Sequence, residues 1–166
     1  MSGRQHTQPF SLVDLAWRTA FRLGFPLARI WWRLRPQPHQ GALVAVYIGQ
    51  ALLLVRASYR RQWNFPGGSV RRGETPEAAA RREMAEEIGL AAPVLHQAGI
   101  VSGVWDGRPD HVHVFELRLD HLPALRLDNR EIIATRLVSP ADLRDTELTG
   151  PVTAYLGQSA WAAVRP

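Results

Sequence analysis

The 166-residue sequence contains no cysteine. Disulfides and thiolate metal sites are thereby excluded, and the absence fits a reducing cytosol. Lysine is missing as well: all twenty basic residues are arginine, a bias of composition to which no function attaches. There is no internal repeat and no low-complexity tract. A hydrophobic share of 46% and a charged share of 21% exclude a disordered or fibrous chain. The length suits one buried domain with a short extension rather than two domains.

The formal net charge is +5, and its position says more than its size. Residues 1–40 hold Arg4, Arg18, Arg22, Arg29, Arg33 and Arg35 against Asp14 alone, so the excess belongs to the N-terminal segment and the remainder is neutral. A neutral domain argues against nucleic acid as a partner. Within residues 11–35 the arginines at 18, 22, 29 and 33 fall on one helical face, and apolar and aromatic residues occupy the rest. This predicts a basic amphipathic helix, broken or kinked into two pieces at Gly24 and Pro26. The arginines leave no run of about 18 apolar residues for a membrane span, and no small-residue cleavage site marks a leader peptide. Such a helix either packs on protein, its own domain or a homodimer partner, or lies on a membrane with aromatics at headgroup level and arginines on anionic lipid. The expected location is cytoplasmic, or membrane-peripheral in the second case.

Pro36 to Gly41 reads as a linker, dividing an extension, 1–40, from a catalytic domain, 41–166. Ala42–Ile48 and Ala51–Arg56 are apolar runs of strand length flanking Gly49-Gln50, a predicted hairpin. A turn ending in Pro66-Gly67-Gly68 leads to a helix over Pro76–Ile88, with Thr75 as N-cap, Pro76 in the first position and Gly89 just beyond the end. Strands are predicted at 94–104, 111–119 and 134–138, and helices near 140–143 and 152–163. Strands interleaved with helices make an α/β domain.

The chemistry is concentrated between Gly68 and Leu90. Glu83, Glu86 and Glu87 stand at i, i+3 and i+4, so a helix places them on one face, where like charges repel by roughly 0.2–0.5 kcal/mol per pair. Ion pairs such as Arg82 with Glu86 can solvate such a face harmlessly. A hard dication resolves the repulsion differently, since Mg²⁺ takes carboxylate oxygens and keeps positions open for water and phosphate. The flanking pattern favours the dication. Gly68, Glu74, Arg82, Glu83, Glu86, Glu87 and Gly89 fill Gly-x5-Glu-x7-Arg-Glu-hydrophobic-x-Glu-Glu-x-Gly-hydrophobic, a coincidence expected by chance on the order of 10⁻⁷ per chain. This pattern resembles the Nudix box, with Met84 where an aliphatic residue is usual, and Trp63 to Gly68 is similar to the family's lead-in.

The resemblance implies a Nudix-type α/β/α sandwich with a mixed sheet, preceded here by the amphipathic extension. It further implies a Mg²⁺-dependent (or Mn²⁺-dependent) hydrolase that cuts a diphosphate bond. Glu83, Glu86, Glu87 and the Gly68 carbonyl are the implied metal ligands, and one of the glutamates is a candidate base. Glu74 and Arg82 are the implied orienting pair, and a later acid is expected, Glu131 ahead of Glu116. Tyr59, Arg60 and Trp63, just before the box, are candidate substrate contacts, although packing explains them as readily. Trp105 could stack a base. His111 and His113, two apart on a strand, read as a surface pair, and His39, His96 and His121 read as incidental. The substrate expected is a small-molecule diphosphate, a nucleoside triphosphate or a nucleoside diphosphate derivative. A membrane-associated isoprenoid-type diphosphate and a non-catalytic nucleotide-binding regulator are the alternatives, the last disfavoured because no box carboxylate is missing.

Overall fold

The structure, a computed structural model, describes residues 5–91 and 94–158. Helix α1 (Leu12–Leu34) is followed by β1 (His39–Ile48), β2 (Ala51–Ala57), β3 (Gly67–Ser69), α2 (Pro76–Ile88), β4 (His96–Trp105), β5 (Arg108–Leu119), β6 (Ile132–Val138), a short 3₁₀ turn at Asp142–Asp145, and α3 (Gly150–Gln158). The sheet runs β4-β5-β1-β2-β6, with β3 paired to β1. β1 and β5 are parallel and the other pairings antiparallel, so the sheet is mixed, as expected. The strands predicted from alternation and turn residues are all present. Residues 159–163 of the last predicted helix lie outside the described residues.

Alternation along β1 builds the two halves of the core. Ala42, Val44 and Val46 face α2, where they pack with Ala79, Ala80, Met84 and Ile88. Leu43, Ala45 and Tyr47 face the other way, toward Val152, Tyr155 and Leu156 of α3. A sheet buried on both faces between helices is the α/β/α sandwich. β1 begins inside the stretch read as a linker, because His39 and Gln40 find partners in Asp110 and His111 of β5.

Helix α1 differs from expectation in two respects. It is one helix from Leu12 to Leu34 with Pro26 inside, not two pieces, although an interior proline costs about 3 kcal/mol. The helix is held on both sides of Pro26: Arg18 Nε donates to the Asn129 carbonyl at 2.7 Å and Arg22 Nε to the Ser58 carbonyl at 2.9 Å, while Arg29 lies 3.5 Å from Asp106. The second difference is orientation. The arginine face is turned toward the domain, with Arg18 buried there and Arg22 and Arg33 still exposed at its margin, and Leu12, Leu23, Leu27, Ile30, Trp31 and Leu34 are on the exposed apolar side. A capping box, Ser11 with Asp14, starts the helix. Near its end, the stem of Arg33 lies over Gly107, where an added Cβ would stand 2.4 Å from Arg33 Cγ.

Candidate active site

Helix α2 presents the box to a glycine turn. The Thr75 side chain accepts from the Ala78 N–H at 3.2 Å, and Gly89 ends the helix in the left-handed region. Ala79, Ala80, Met84 and Ile88 fix one side of α2 in the core, which aims Glu83 and Glu87 at the two glycines that begin β3. The first of them must be glycine, and a side chain on the second would displace the Glu83 carboxylate. Gly67 has φ +136, and a Cβ there would lie 2.1 Å from the Ala42 carbonyl oxygen; one on Gly68 would lie 2.7 Å from the Glu83 carboxyl carbon. With no side chains in the way, the Gly67 N–H donates to Glu87 Oε2 at 2.9 Å.

Arg82 organises the polar side. Its Nε and Nη2 donate to the two oxygens of Glu74 at 2.9 and 3.0 Å, a bidentate fork. Nη2 also reaches the Ser69 carbonyl at 3.1 Å, and Nη1 donates to Glu83 at 2.7 Å and to Glu86 at 3.2 Å. The Arg82 hydrogen bonds, helped by the Arg71 N–H, hold the Glu74 carboxyl down at about 2. Arg82 in turn is held more firmly protonated, by Glu74 first and Glu83 next.

Two acids show the opposite behaviour. Glu87 is buried, and its pKa is raised well above the usual carboxylate value by desolvation; the Gly67 N–H opposes this, and Glu131, Glu83 and Asp128 add to it. Desolvation also raises Glu131, against the hydrogen bond from Tyr59. Tyr59 Oη donates to Glu131 Oε1 at 2.6 Å. Asp128 shapes the loop, accepting from the N–H groups of Glu131 at 3.0 Å and Ile132 at 2.8 Å. Gly68, Glu83, Glu87, Glu131, Tyr59 and Arg60 all line one pocket of about 880 Å³.

Other expected residues lie elsewhere. Glu86 is turned outward, its side chain 52% exposed and shared between Arg82 and Arg71. Trp63, expected among the substrate contacts, sits in the core beside Phe65. Its backbone bonds to Glu147 and Thr149 fix it there. Glu116 accepts from Tyr155 Oη at 2.6 Å beside a separate, smaller cavity. Trp105 lines the main pocket but rests against Gly103 and Gly150. His111 bonds to Ser102 across the β4–β5 pair at 2.8 Å, the surface role expected for it. Sequence reasoning passed over His39, whose Nδ1 lies 2.9 Å from Asp110 and Nε2 2.8 Å from Ser69 Oγ on the pocket wall. Only the pairing of β1 with β3 and β5 brings these three together, so no local pattern signals them.

The donor set on the pocket floor is all oxygen, as Mg²⁺ or Mn²⁺ requires. Glu83 and Glu131 disfavour the charged form of Glu87, and Glu83 that of Glu131, a conflict that a dication relieves. Among the described residues no three such side chains already stand as a closed ligand cage, and Arg82 holds Glu83 and Glu86 on the helix surface. The residues therefore fit the ion in chemistry, with the Glu83 and Glu86 carboxylates tethered to Arg82.

The model of the NUDIX domain matches residues 37–156. The chain belongs to the Nudix family. Its Nudix region is 37% identical over 71 residues to an oxidized purine nucleoside triphosphate hydrolase of Mus musculus, covering 43% of this chain and 46% of that protein. It is 43% identical over 54 residues to an RNA pyrophosphohydrolase of Acinetobacter baylyi, covering 32% of each. The chain thus spans less than half the length of these curated relatives. Among solved structures, the MutT protein from Methanosarcina mazei Go1 matches with a TM-score of 0.66 at 21% identity, over 75% of this chain and 94% of that one, which establishes the Nudix fold. Helix α1 lies outside the matched Nudix domain.

Proposed function

We propose that the protein is a divalent-metal-dependent hydrolase of a diphosphate bond, acting on a nucleoside triphosphate or a nucleoside diphosphate derivative. The observation that carries this reading is the carboxylate-crowded pocket floor, where buried Glu87 faces Glu83 and Glu131 beside the glycine turn. Glu83, Glu86 and Glu87 with the Gly68 carbonyl would hold Mg²⁺ or Mn²⁺, with Arg82 releasing the two outer carboxylates to it. When bound, the ion would offset phosphate charge and lower the pKa of water.

The chain's own residues have separable tasks. The Glu74–Arg82 fork fixes the box loop against α2 and orients Glu83. Tyr59 holds Glu131 by one hydrogen bond on the pocket wall, where Glu131 would take a proton from the attacking water. Water oxygen forms the new bond to phosphorus, the bridging P–O bond breaks, and a phosphorylated fragment leaves. The names of the relatives, a nucleoside triphosphate hydrolase and an RNA pyrophosphohydrolase, favour nucleotide substrates.

A membrane-associated diphosphate is the second reading, and the exposed apolar side of α1 beside the pocket is the observation in its favour. The deciding experiment is a panel of nucleotide and isoprenoid diphosphates assayed for phosphate and fragment release, with Mg²⁺, Mn²⁺ or excess EDTA. The proposal expects metal-dependent cleavage, nucleotides preferred. Undiminished activity in EDTA, or none on any diphosphate, overturns it.

A further inference from the structure

The pocket has a second end, and α1 builds it. Phe25, Pro26, Arg29 and Trp32 line the same cavity as Glu83 and Glu87. The Phe25 ring lies 4.6 Å from Tyr59, centroid to centroid, and carries the Arg60 guanidinium 4.4 Å above it. Trp32 carries the Arg108 guanidinium at 3.9 Å. These aromatic rings therefore back Arg60 and Arg108, and the ring faces they cover are taken from any stacking base.

The charges at this end do not balance. Arg29 and Arg60 share Asp106, while Asp110 is engaged by His39. Burial destabilises the Arg108 cation; Asp110 and Asp106 oppose this, and Arg60 adds to it. Arg29 is half-exposed as a whole; its Nε is buried and meets Asp106 Oδ1 only at 3.5 Å, without a hydrogen bond, so it can take a closer acceptor. Three guanidinium groups lie against two carboxylates, Asp106 and Asp110, which leaves one positive charge over, and with rings behind two of them they form a receptor for an anion.

We propose that α1 completes a second subsite, in which Arg29 and Arg108, with Trp32 behind Arg108 and Phe25 holding Arg60 beside them, bind an anionic group that the substrate carries beyond its scissile diphosphate. The chemical class is a diphosphate compound with a further phosphate or carboxylate. This rests on reading the pocket as that of a diphosphate hydrolase. Trp32 and Phe25 act as positioning residues, through the arginines. Specificity would then be set partly from outside the domain that carries the metal site.

The test is equilibrium binding of inorganic pyrophosphate to the full chain in excess EDTA, where catalysis is off and the glutamate end repels anions. Saturable binding is expected, weakened at least about fivefold by Arg29→Gln and by Arg108→Gln, the loss of a charge-assisted contact. Trp32→Ala should weaken binding while Trp32→Phe restores it, with circular dichroism melting confirming that each variant folds. Absence of saturable binding, or equal affinity in the folded variants, overturns the subsite. Because turnover is absent, a failed hydrolysis panel beside intact, arginine-dependent binding would sink the hydrolase reading alone. Metal-dependent hydrolysis beside arginine-independent binding would sink the subsite alone.

Discussion

Glu87 and Glu131 share a burial-raised pKa but differ in their tethers, and the difference predicts different losses. Glu87 is tied to the glycine turn, so Glu87→Gln is expected to lower kcat by about 10²-fold or more while the chain stays folded. Steady-state kinetics beside a melting curve reads both quantities, and full activity in that variant would contradict the metal assignment. For the later acid, Glu131→Gln should reduce kcat far more than Glu116→Gln, since only Glu131 lines the main pocket. Equal, small effects would place the base on α2. Glu74 gives a pH signature. Its carboxyl is held at about 2 against an ordinary 4.5, so its contribution to stability is complete above about 4.5 and is lost as pH falls toward 2. Titration followed by carboxyl carbon NMR should show Glu74 still ionised at about pH 3, and Arg82→Gln should return it to the normal range. The box residues were legible because their spacing is local and one helix turns that spacing into a face. Trp63 was not: adjacency to the box suggested a substrate contact, whereas pairing with the distant Leu148 and Thr149 decides its burial.

Helix α1 shows what periodicity can and cannot tell. Spacing separated an arginine face from an apolar one, but the choice of face against the domain depends on acceptors 36 and 111 residues away, the carbonyls of Ser58 and Asn129. The helix-breaking expectation at Pro26 failed for the same reason, because tertiary contacts on either side outweigh a local preference. Gly107 supplies the test at this scale. It has φ +88 and lies against Arg33, so Gly107→Ala meets both backbone strain and a clash, an expected loss of about 1–3 kcal/mol. Denaturant unfolding measures it, and a loss within error would mean that α1 docking does not depend on this contact. The β1–β2 hairpin and α2 were legible from Gly49-Gln50 and from the Thr75 and Gly89 caps. The parallel pairing of β1 with β5 was not, since no turn joins them.

At the scale of the whole molecule, the exposed side of α1 carries several large apolar residues, while Arg18, Arg22 and Arg29 reach toward the domain. Patches of this kind mark association with protein or lipid. Because these charges point inward, association through the apolar side should change little between low and high salt, unlike an arginine-led attraction to anionic lipid. Sedimentation of the full chain, alone and with neutral or anionic vesicles, checks this beside a chain beginning at Gln37, which should lose the association. A full chain that is monomeric and indifferent to both vesicles would remove the membrane and dimer expectations together.

The inward arginines also have a consequence during synthesis. α1 is translated well before Ser58, Asp106 and Asn129, the residues that receive its arginines, and β1 must wait for β5, with His39 and its partner Asp110 lying 71 residues apart. Such non-local closure slows folding, and until it occurs an amphipathic helix has neither face covered. The nascent chain therefore passes through a stage in which its stickiest segment is already complete and its shelter is not yet made. Chaperone occupancy of ribosome-bound chains should accordingly rise once α1 emerges and fall only after the Asn129 loop has cleared the exit tunnel.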